Sequence, residues 1–258
     1  MSFQCKAWYL SHRGKVRPGN EDSLLLGDKI VTQGDMTEPD AWESEEAGSF
    51  CVCVADGMGG HKAGERASAL CCEGLAQMDD ESEEQLQERL LELHRSIHEE
   101  SNFDPNCRGM GTTVAGLAFL GEDLRAFNVG DSRVYRIQDQ SLNQITKDDT
   151  IAQAMEEAGM WKPGEVRPAG FHGLTQALGG SMAYREIVPQ THDCPLENRA
   201  SYLLCTDGLT DMLSLDQMEE GLSLEKPELI LDGLFEAAMG AGGKDNLTII
   251  CLEVERRP

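Results

Sequence analysis

Phe50-Cys-Val-Cys-Val-Ala-Asp56-Gly57 and Ser201-Tyr-Leu-Leu-Cys-Thr-Asp207-Gly208 are two apolar runs that end in the same Asp-Gly pair. A short, β-rich apolar run of this kind reads as a buried strand. A carboxylate on its last residue stands at the rim of a sheet. Asp-Gly after a strand is often only a hairpin turn, and either copy alone carries no more than that. The sequels differ from a hairpin, because Asp56-Gly57 runs into Met-Gly-Gly and a helical pattern, and Asp207-Gly208 into Leu-Thr-Asp211-Met-Leu. Asn20-Glu21-Asp22, Gly130-Asp131-Ser132-Arg133 and Lys244-Asp245-Asn246 add further acidic clusters. Rim carboxylates that point together repel one another unless a divalent cation sits between them. The pattern points to a metal-centred site.

Composition narrows the partners. The chain has 258 residues, 40% hydrophobic and 26% charged, enough for a sizeable core in one domain spanning 1–258. Its formal net charge of -24 argues against nucleic acid as a partner, since binding a polyanion needs basic patches. Nine cysteines show no disulfide-framework spacing and no C-x-x-C pair. Cys51, Cys53, Cys205 and Cys251 lie inside apolar runs and read as small buried hydrophobes. Neither a charged-then-apolar leader nor a membrane-length apolar stretch is present, so the expectation is a reducing cytoplasm, no membrane and a monomer.

Along the chain, an N-terminal strand and turn reach to about Ser23, and residues 32–48 read as an acidic hairpin loop. A glycine-rich turn after Asp56 feeds a helix over Glu65–Met78. Leu86, Leu90, Leu93 and Ile97 mark a second, amphipathic helix over Glu83–Ser101. Strands are expected at Thr112–Leu120, Leu124–Val129, Val134–Gln138, Ser201–Thr206 and Leu247–Val254. A helix, a Pro/Gly loop and a turn fill 148–180, and short helices follow Asp207, the last near Pro227. Strands in runs with helices in pairs indicate an α+β layered sandwich.

Other chemistries fail on spacing. Gly243-Lys244 is followed by Asp where a P-loop needs Ser or Thr, and Gly57-x-Gly59 lacks the third glycine of a dinucleotide fingerprint. Cys251 and Arg257 stand at C-x5-R spacing, but no glycine lies between them to cradle phosphate. His94 and His98 are one helical turn apart without a metalloprotease Glu, and are expected on a wet helix face. Arg17, five residues before Asp22, is either a solvated turn residue or a guanidinium fork for phosphate oxygens.

Seven segments in order resemble the metal-dependent protein phosphatase family (PPM, or type 2C serine/threonine phosphatases) in its bacterial form. They are Arg17-Pro-Gly-Asn-Glu-Asp22, Val54-Ala-Asp-Gly-Met-Gly-Gly-His-Lys-Ala-Gly-Glu-Arg-Ala-Ser68, Gly109-Met-Gly-Thr-Thr-Val114 and Asn128-Val-Gly-Asp-Ser-Arg-Val-Tyr135, then Leu174-Thr-Gln-Ala-Leu-Gly179, Leu204-Cys-Thr-Asp-Gly-Leu209 and Lys244-Asp-Asn-Leu-Thr248.

The resemblance implies a central antiparallel β-sandwich flanked by pairs of α-helices, four layers in αββα order, with metals at one end. It implies that Asp56 bridges two Mn²⁺ or Mg²⁺ ions, that Asp207 and Asp245 complete the first, and that the Gly57 carbonyl helps hold the second. Glu21 and Asp22 act near the second ion, partly through water. Asp131, with Asp207, matches a third, weaker metal site, and Arg17 matches the phosphate-binding arginine. Two such cations lower the pKa of a bridging water, which attacks phosphorus without a protein nucleophile. The implied activity is hydrolysis of phosphoserine and phosphothreonine on proteins, opposing a cognate bacterial Ser/Thr kinase. An anti-sigma-factor antagonist or a secretion-system scaffold is an alternative substrate, and a non-catalytic phosphoprotein-binding module is the alternative function.

Some positions depart from the family. Met58 occupies the place of a His that eukaryotic members carry after Asp-Gly, and Met cannot donate a proton; His61 is the nearby candidate acid. A flap-like insertion falls at about 148–170, where Asp148-Asp149-Thr150 replaces the Asp-His-Ser often found in relatives.

Overall fold

The two rim strands are covered on both faces, which is why their apolar runs are continuous rather than alternating. In the computed structural model, which describes residues 2–44, 48–59, 63–79, 82–160, 173–194, 198–224 and 226–257, Phe50, Val52 and Val54 face a second sheet. Cys51, Cys53 and Ala55 face helices. The later run divides in the same way, with Tyr202 and Leu204 between the sheets and Leu203 and Cys205 under helices.

Strand β1 (Ser2–His12) leads to β2 (Ser23–Leu26), β3 (Lys29–Thr32), β4 (Asp40–Ser44) and β5 (Phe50–Ala55). The short β6 (Gly57–Met58) precedes helices α1 (Gly64–Leu75) and α2 (Glu83–Phe103). Strands β7 (Gly111–Thr112), β8 (Val114–Leu120), β9 (Asp123–Val129), β10 (Arg133–Gln138) and β11 (Ser141–Gln144) follow, then helix α3 (Ile151–Glu157). After β12 (Leu178–Gly179), β13 (Gln190–Asp193) and β14 (Arg199–Cys205) come α4 (Asp207–Thr210), α5 (Leu215–Gly221), α6 (Pro227–Gly240) and the last strand, β15 (Leu247–Arg257).

One antiparallel sheet runs β11-β10-β14-β15-β1-β4 and the other β13-β9-β8-β5-β2-β3, with a small sheet β12-β7-β6 beside them. Helices α1 and α2 pack on the second sheet through Ala67, Cys71, Leu75, Leu86, Leu90 and Ile97. Helices α4 to α6 pack on the first through Leu209, Met218, Leu231 and Leu234. The four-layer αββα arrangement is as expected, and eight of the nine cysteines are buried, with Cys107 only partly so.

Three local expectations need correction. Residues 32–48 are not only a loop, because β4 lies within them and pairs with β1 as an edge strand. The strand expected over Thr112–Leu120 breaks at Thr113, whose N–H donates to the Asp56 carbonyl at 2.9 Å. His94 is not on a wet face. It is 2% exposed, donates from Nε2 to the Arg185 carbonyl at 2.8 Å and accepts the Gly179 N–H on Nδ1 at 3.0 Å. That pattern needs a neutral ring, and burial lowers its pKa accordingly.

The imidazole thus ties α2 to β12. The His94→Ala variant is expected to lose about 2–4 kcal/mol in urea denaturation, from the cavity and two orphaned backbone groups. Because the folded ring resists protonation, the wild-type share of this stability falls as pH drops below the ordinary histidine value of 6.5. The gap between wild type and variant narrows in acid, and a gap that widened would contradict the assignment.

Candidate metal centre

Strand register brings the acidic residues together in pairs. Ser23 faces Ala55 across β2 and β5, so the next step sets Asp22 beside Asp56. Arg133 faces Cys205 across β10 and β14, so two further steps set Asp131 beside Asp207. The turn after β1 reaches the Asp245 turn, where the Lys15 N–H donates to the Gly243 carbonyl at 2.7 Å. Strand ends from both sheets therefore converge on one edge of the sandwich.

Arg17, Glu21, Asp56, Gly57, Asp131, Asp207 and Asp245 line one cleft there, of about 320 Å³. Asp22 does not line it. This side chain is fully buried behind the cleft; its Oδ2 accepts Thr206 Oγ1 at 2.9 Å and Thr248 Oγ1 at 2.8 Å. Arg17 Nη2 donates to Asp245 Oδ2 at 2.5 Å, so the guanidinium stands at the cleft mouth against a carboxylate. Among the described residues no three Asp, Glu, His or Cys side chains already surround a single point.

Two glycines make the approach possible. A Cβ on Gly57 would stand 2.2 Å from the Gly64 carbonyl oxygen and 2.4 Å from that of Glu21. On Gly208 it would stand 1.8 Å from the Asn246 carbonyl oxygen. Each Asp-Gly pair thus puts an acid where another backbone passes in contact, which explains the glycine after each aspartate.

The electrostatics fit a hard dication. Burial, with the neighbouring carboxylates adding to it, pushes the pKa of Asp22 up to about 7, that of Asp131 to about 7 and that of Asp207 to about 6. Asp56 is raised well above the carboxylate range by burial and by Asp22 and Asp207. Oδ1 of Asp22 and Oδ1 of Asp207 are enclosed with no hydrogen-bond partner among the described residues. Enclosed carboxylate oxygens without donors are what oxygen-seeking Mn²⁺ or Mg²⁺ would satisfy.

The sequence reading missed the groups that hold these acids. Asn246 accepts the Glu21 N–H on Oδ1 at 2.8 Å and donates from Nδ2 to the carbonyls of Arg13 at 2.9 Å and Gly19 at 2.8 Å. It locks the segment bearing Arg17 and Glu21 onto the Asp245 turn. Thr206 and Thr248 hold Asp22, and their signal was a polar residue set within an apolar strand run. Met58 lies in β6, while His61 lies outside the described residues.

Raised carboxylate pKa values mean that the folded protein binds protons more tightly than the unfolded chain. Their contribution is most favourable in acid and is lost as pH rises from about 4 through about 7. Differential scanning fluorimetry on chelated protein should show a lower Tm at about pH 8 than at about pH 5.5, with Mn²⁺ raising Tm more at the higher pH. Asp207→Asn is expected to shrink that pH difference; equal Mn²⁺ effects at both pH values would contradict the carboxylate assignment.

The protein phosphatase 2C family model matches residues 30–232. The chain is 30% identical over 260 residues to the serine/threonine phosphatase stp of Listeria monocytogenes, covering 96% of this chain and 95% of that protein. It is 32% identical over 249 residues to the serine/threonine protein phosphatase PstP of Mycobacterium tuberculosis, covering 95% of this chain but 44% of the relative's length. It resembles the crystal structure of the PstP catalytic domain in complex with two manganese ions, with a TM-score of 0.75, 32% identity and coverage of 98% of this chain and 100% of that one. On these matches the chain belongs to the protein phosphatase 2C family.

Proposed function

We propose that this protein hydrolyses phosphoserine and phosphothreonine monoesters on proteins, using Mn²⁺ or Mg²⁺ held at the sandwich edge. The observation that carries the reading is that Arg17 and the carboxylates of Glu21, Asp56, Asp131, Asp207 and Asp245 line one cleft. The relatives named as serine/threonine phosphatases support it, as does the manganese pair in the PstP catalytic domain.

In this reading Asp56, Asp207 and Asp245, with the Gly57 carbonyl and with Glu21 and Asp22 close by, would hold two ions. Asp131 beside Asp207 would hold a third more weakly. When bound, such ions activate water for attack on phosphorus and offset phosphoryl charge. Arg17 lends its guanidinium to the phosphoryl oxygens, which it can do by sharing or releasing Asp245. The threonines on Asp22 and the amide of Asn246 keep the acids from moving apart, so the electrostatic field is fixed before substrate arrives. Met58 has no proton to give, so the leaving alkoxide takes its proton from solvent or from a group other than Met58.

Among the described residues that line the cleft there is no Ser, Cys or His, and the proposed hydrolysis is direct. A phosphoprotein phosphatase presupposes a kinase, and a cognate Ser/Thr kinase is the proposed counterpart. In this reading the chain is one domain with a flap-like insertion at about 148–170, of which 161–170 lie outside the described residues.

With p-nitrophenyl phosphate and a phosphothreonine peptide, turnover is expected to require Mn²⁺ or Mg²⁺ and to stop with chelator. Asp56→Asn and Asp207→Asn should each lower kcat by about 10³-fold or more. Arg17→Ala should lower kcat/KM by about 10²-fold, mostly through KM. Activity that survived chelation, or a phosphoenzyme trapped by acid quench, would overturn the proposal.

A further inference from the structure

Asp149 is 7% exposed and does not line the cleft. Its carboxylate faces three donors. Oδ2 accepts the Gly130 N–H at 2.9 Å, and Oδ1 accepts Nε2 of Gln176 at 2.8 Å and Nε2 of Gln190 at 2.7 Å. The orientation of each donor is set elsewhere. Gln176 uses its Oε1 to accept the Val188 N–H at 2.6 Å, and the Gln190 Nε2 also reaches the Lys147 carbonyl at 3.2 Å. No neutral side chain of the same shape can accept from all three, because an asparagine would turn a donor toward a donor.

The backbone doubles the connection. The Asp149 N–H donates to the Gly130 carbonyl at 2.9 Å, and the Thr175 N–H donates to the Asp149 carbonyl at 2.7 Å. The preceding residue braces the other side of the same loop. Asp148 takes Nε and Nη2 of Arg133 in a bidentate pair at 2.9 and 2.7 Å, while Arg133 Nη1 donates to the Tyr135 hydroxyl at 3.0 Å. Gly130 and Arg133 bracket Asp131, and Leu174, next to Thr175, lines the cleft. Two consecutive carboxylates thus grip the Asp131 loop from both ends, and one of them also grips the returning chain.

We propose that Asp149 is a positioning residue that holds the Asp131 loop and the Leu174 segment in one fixed relation to Asp56 and Asp207, and so sets the rate of phosphomonoester hydrolysis without touching the reacting atoms. This rests on the phosphatase reading above. Removing an outer partner of this kind typically costs about 10–100-fold in activity.

The test compares the wild type, Asp149→Asn and Asp149→Ala, full length and saturated with Mn²⁺. Steady-state constants on p-nitrophenyl phosphate are read beside amide hydrogen exchange at Gly130 and Thr175. Both variants are expected to lose about tenfold or more in kcat with KM within about twofold. Exchange at Gly130 should quicken by about tenfold or more in Asp149→Ala, while Val52 and Leu252 in the sandwich stay protected as in the wild type. A kcat within about twofold of wild type in both variants would overturn the inference, as would a general loss of core protection. Exchange needs no turnover: an inactive wild type would count against the phosphatase reading, and unchanged Gly130 protection in Asp149→Ala would count against this inference.

Discussion

Repulsion among carboxylates crowded at one edge of a β-sandwich is the constraint on which the rest of this structure depends. Burial raises the pKa of Asp22, Asp56 and Asp207; Asp207 raises those of Asp22 and Asp56 further, and Asp245 adds to all three. Such a group stays together only if something rigid prevents it from separating. Here the rigidity comes from strands buried on both faces, whose ends carry the acids, and from side chains that tie those ends to each other. A sandwich of this kind resists the small displacements that would relieve the charge, because its core is close-packed on either side of each sheet.

The ties run across the molecule. Thr206 and Thr248 reach Asp22 from neighbouring strands of the opposite sheet, so one buried carboxylate joins the two layers. Asn246 fastens the segment carrying Arg17 and Glu21 to the turn carrying Asp245. Asp148 and Asp149 do the same for Asp131. The loops carrying Glu21, Asp131 and Asp245 are thus each fastened by side-chain hydrogen bonds, from Asn246 at the cleft wall and from Asp148 and Asp149 behind it. The division of labour is general for sites that bind hard cations: ligands in front, and hydrogen-bonding groups behind that fix their direction.

Much of this was legible because it sits at the ends of strands. Asp56 and Asp207 stand out since an apolar run ends on each, and the glycine after each is required by a backbone in contact. Other features were hidden for physical reasons. His94 was misread from its spacing to His98 alone, although 90, 93, 94 and 97 form a single helical stripe and all are buried. Strand β4 was hidden in an acidic stretch because an edge strand with mostly exposed side chains has little apolar signature. Asp149 stood out only as a departure from the Asp-His-Ser of relatives, with no sign of its partners: Gly130, Gln176 and Gln190 are distant in the chain, and only the folded backbone brings them to one carboxylate. Asp22 looked equivalent to Glu21, but strand pairing buries one and leaves the other at the cleft.

The central claim is that these separated acids form a binding site for divalent ions, with Asp56 shared. Isothermal titration of Mn²⁺ into chelated protein, wild type against Asp56→Asn, tests it most directly. The account predicts binding of two ions by the wild type and loss of the tight component in Asp56→Asn. Mn²⁺ binding that is absent from the wild type, or unchanged in the variant, would contradict it.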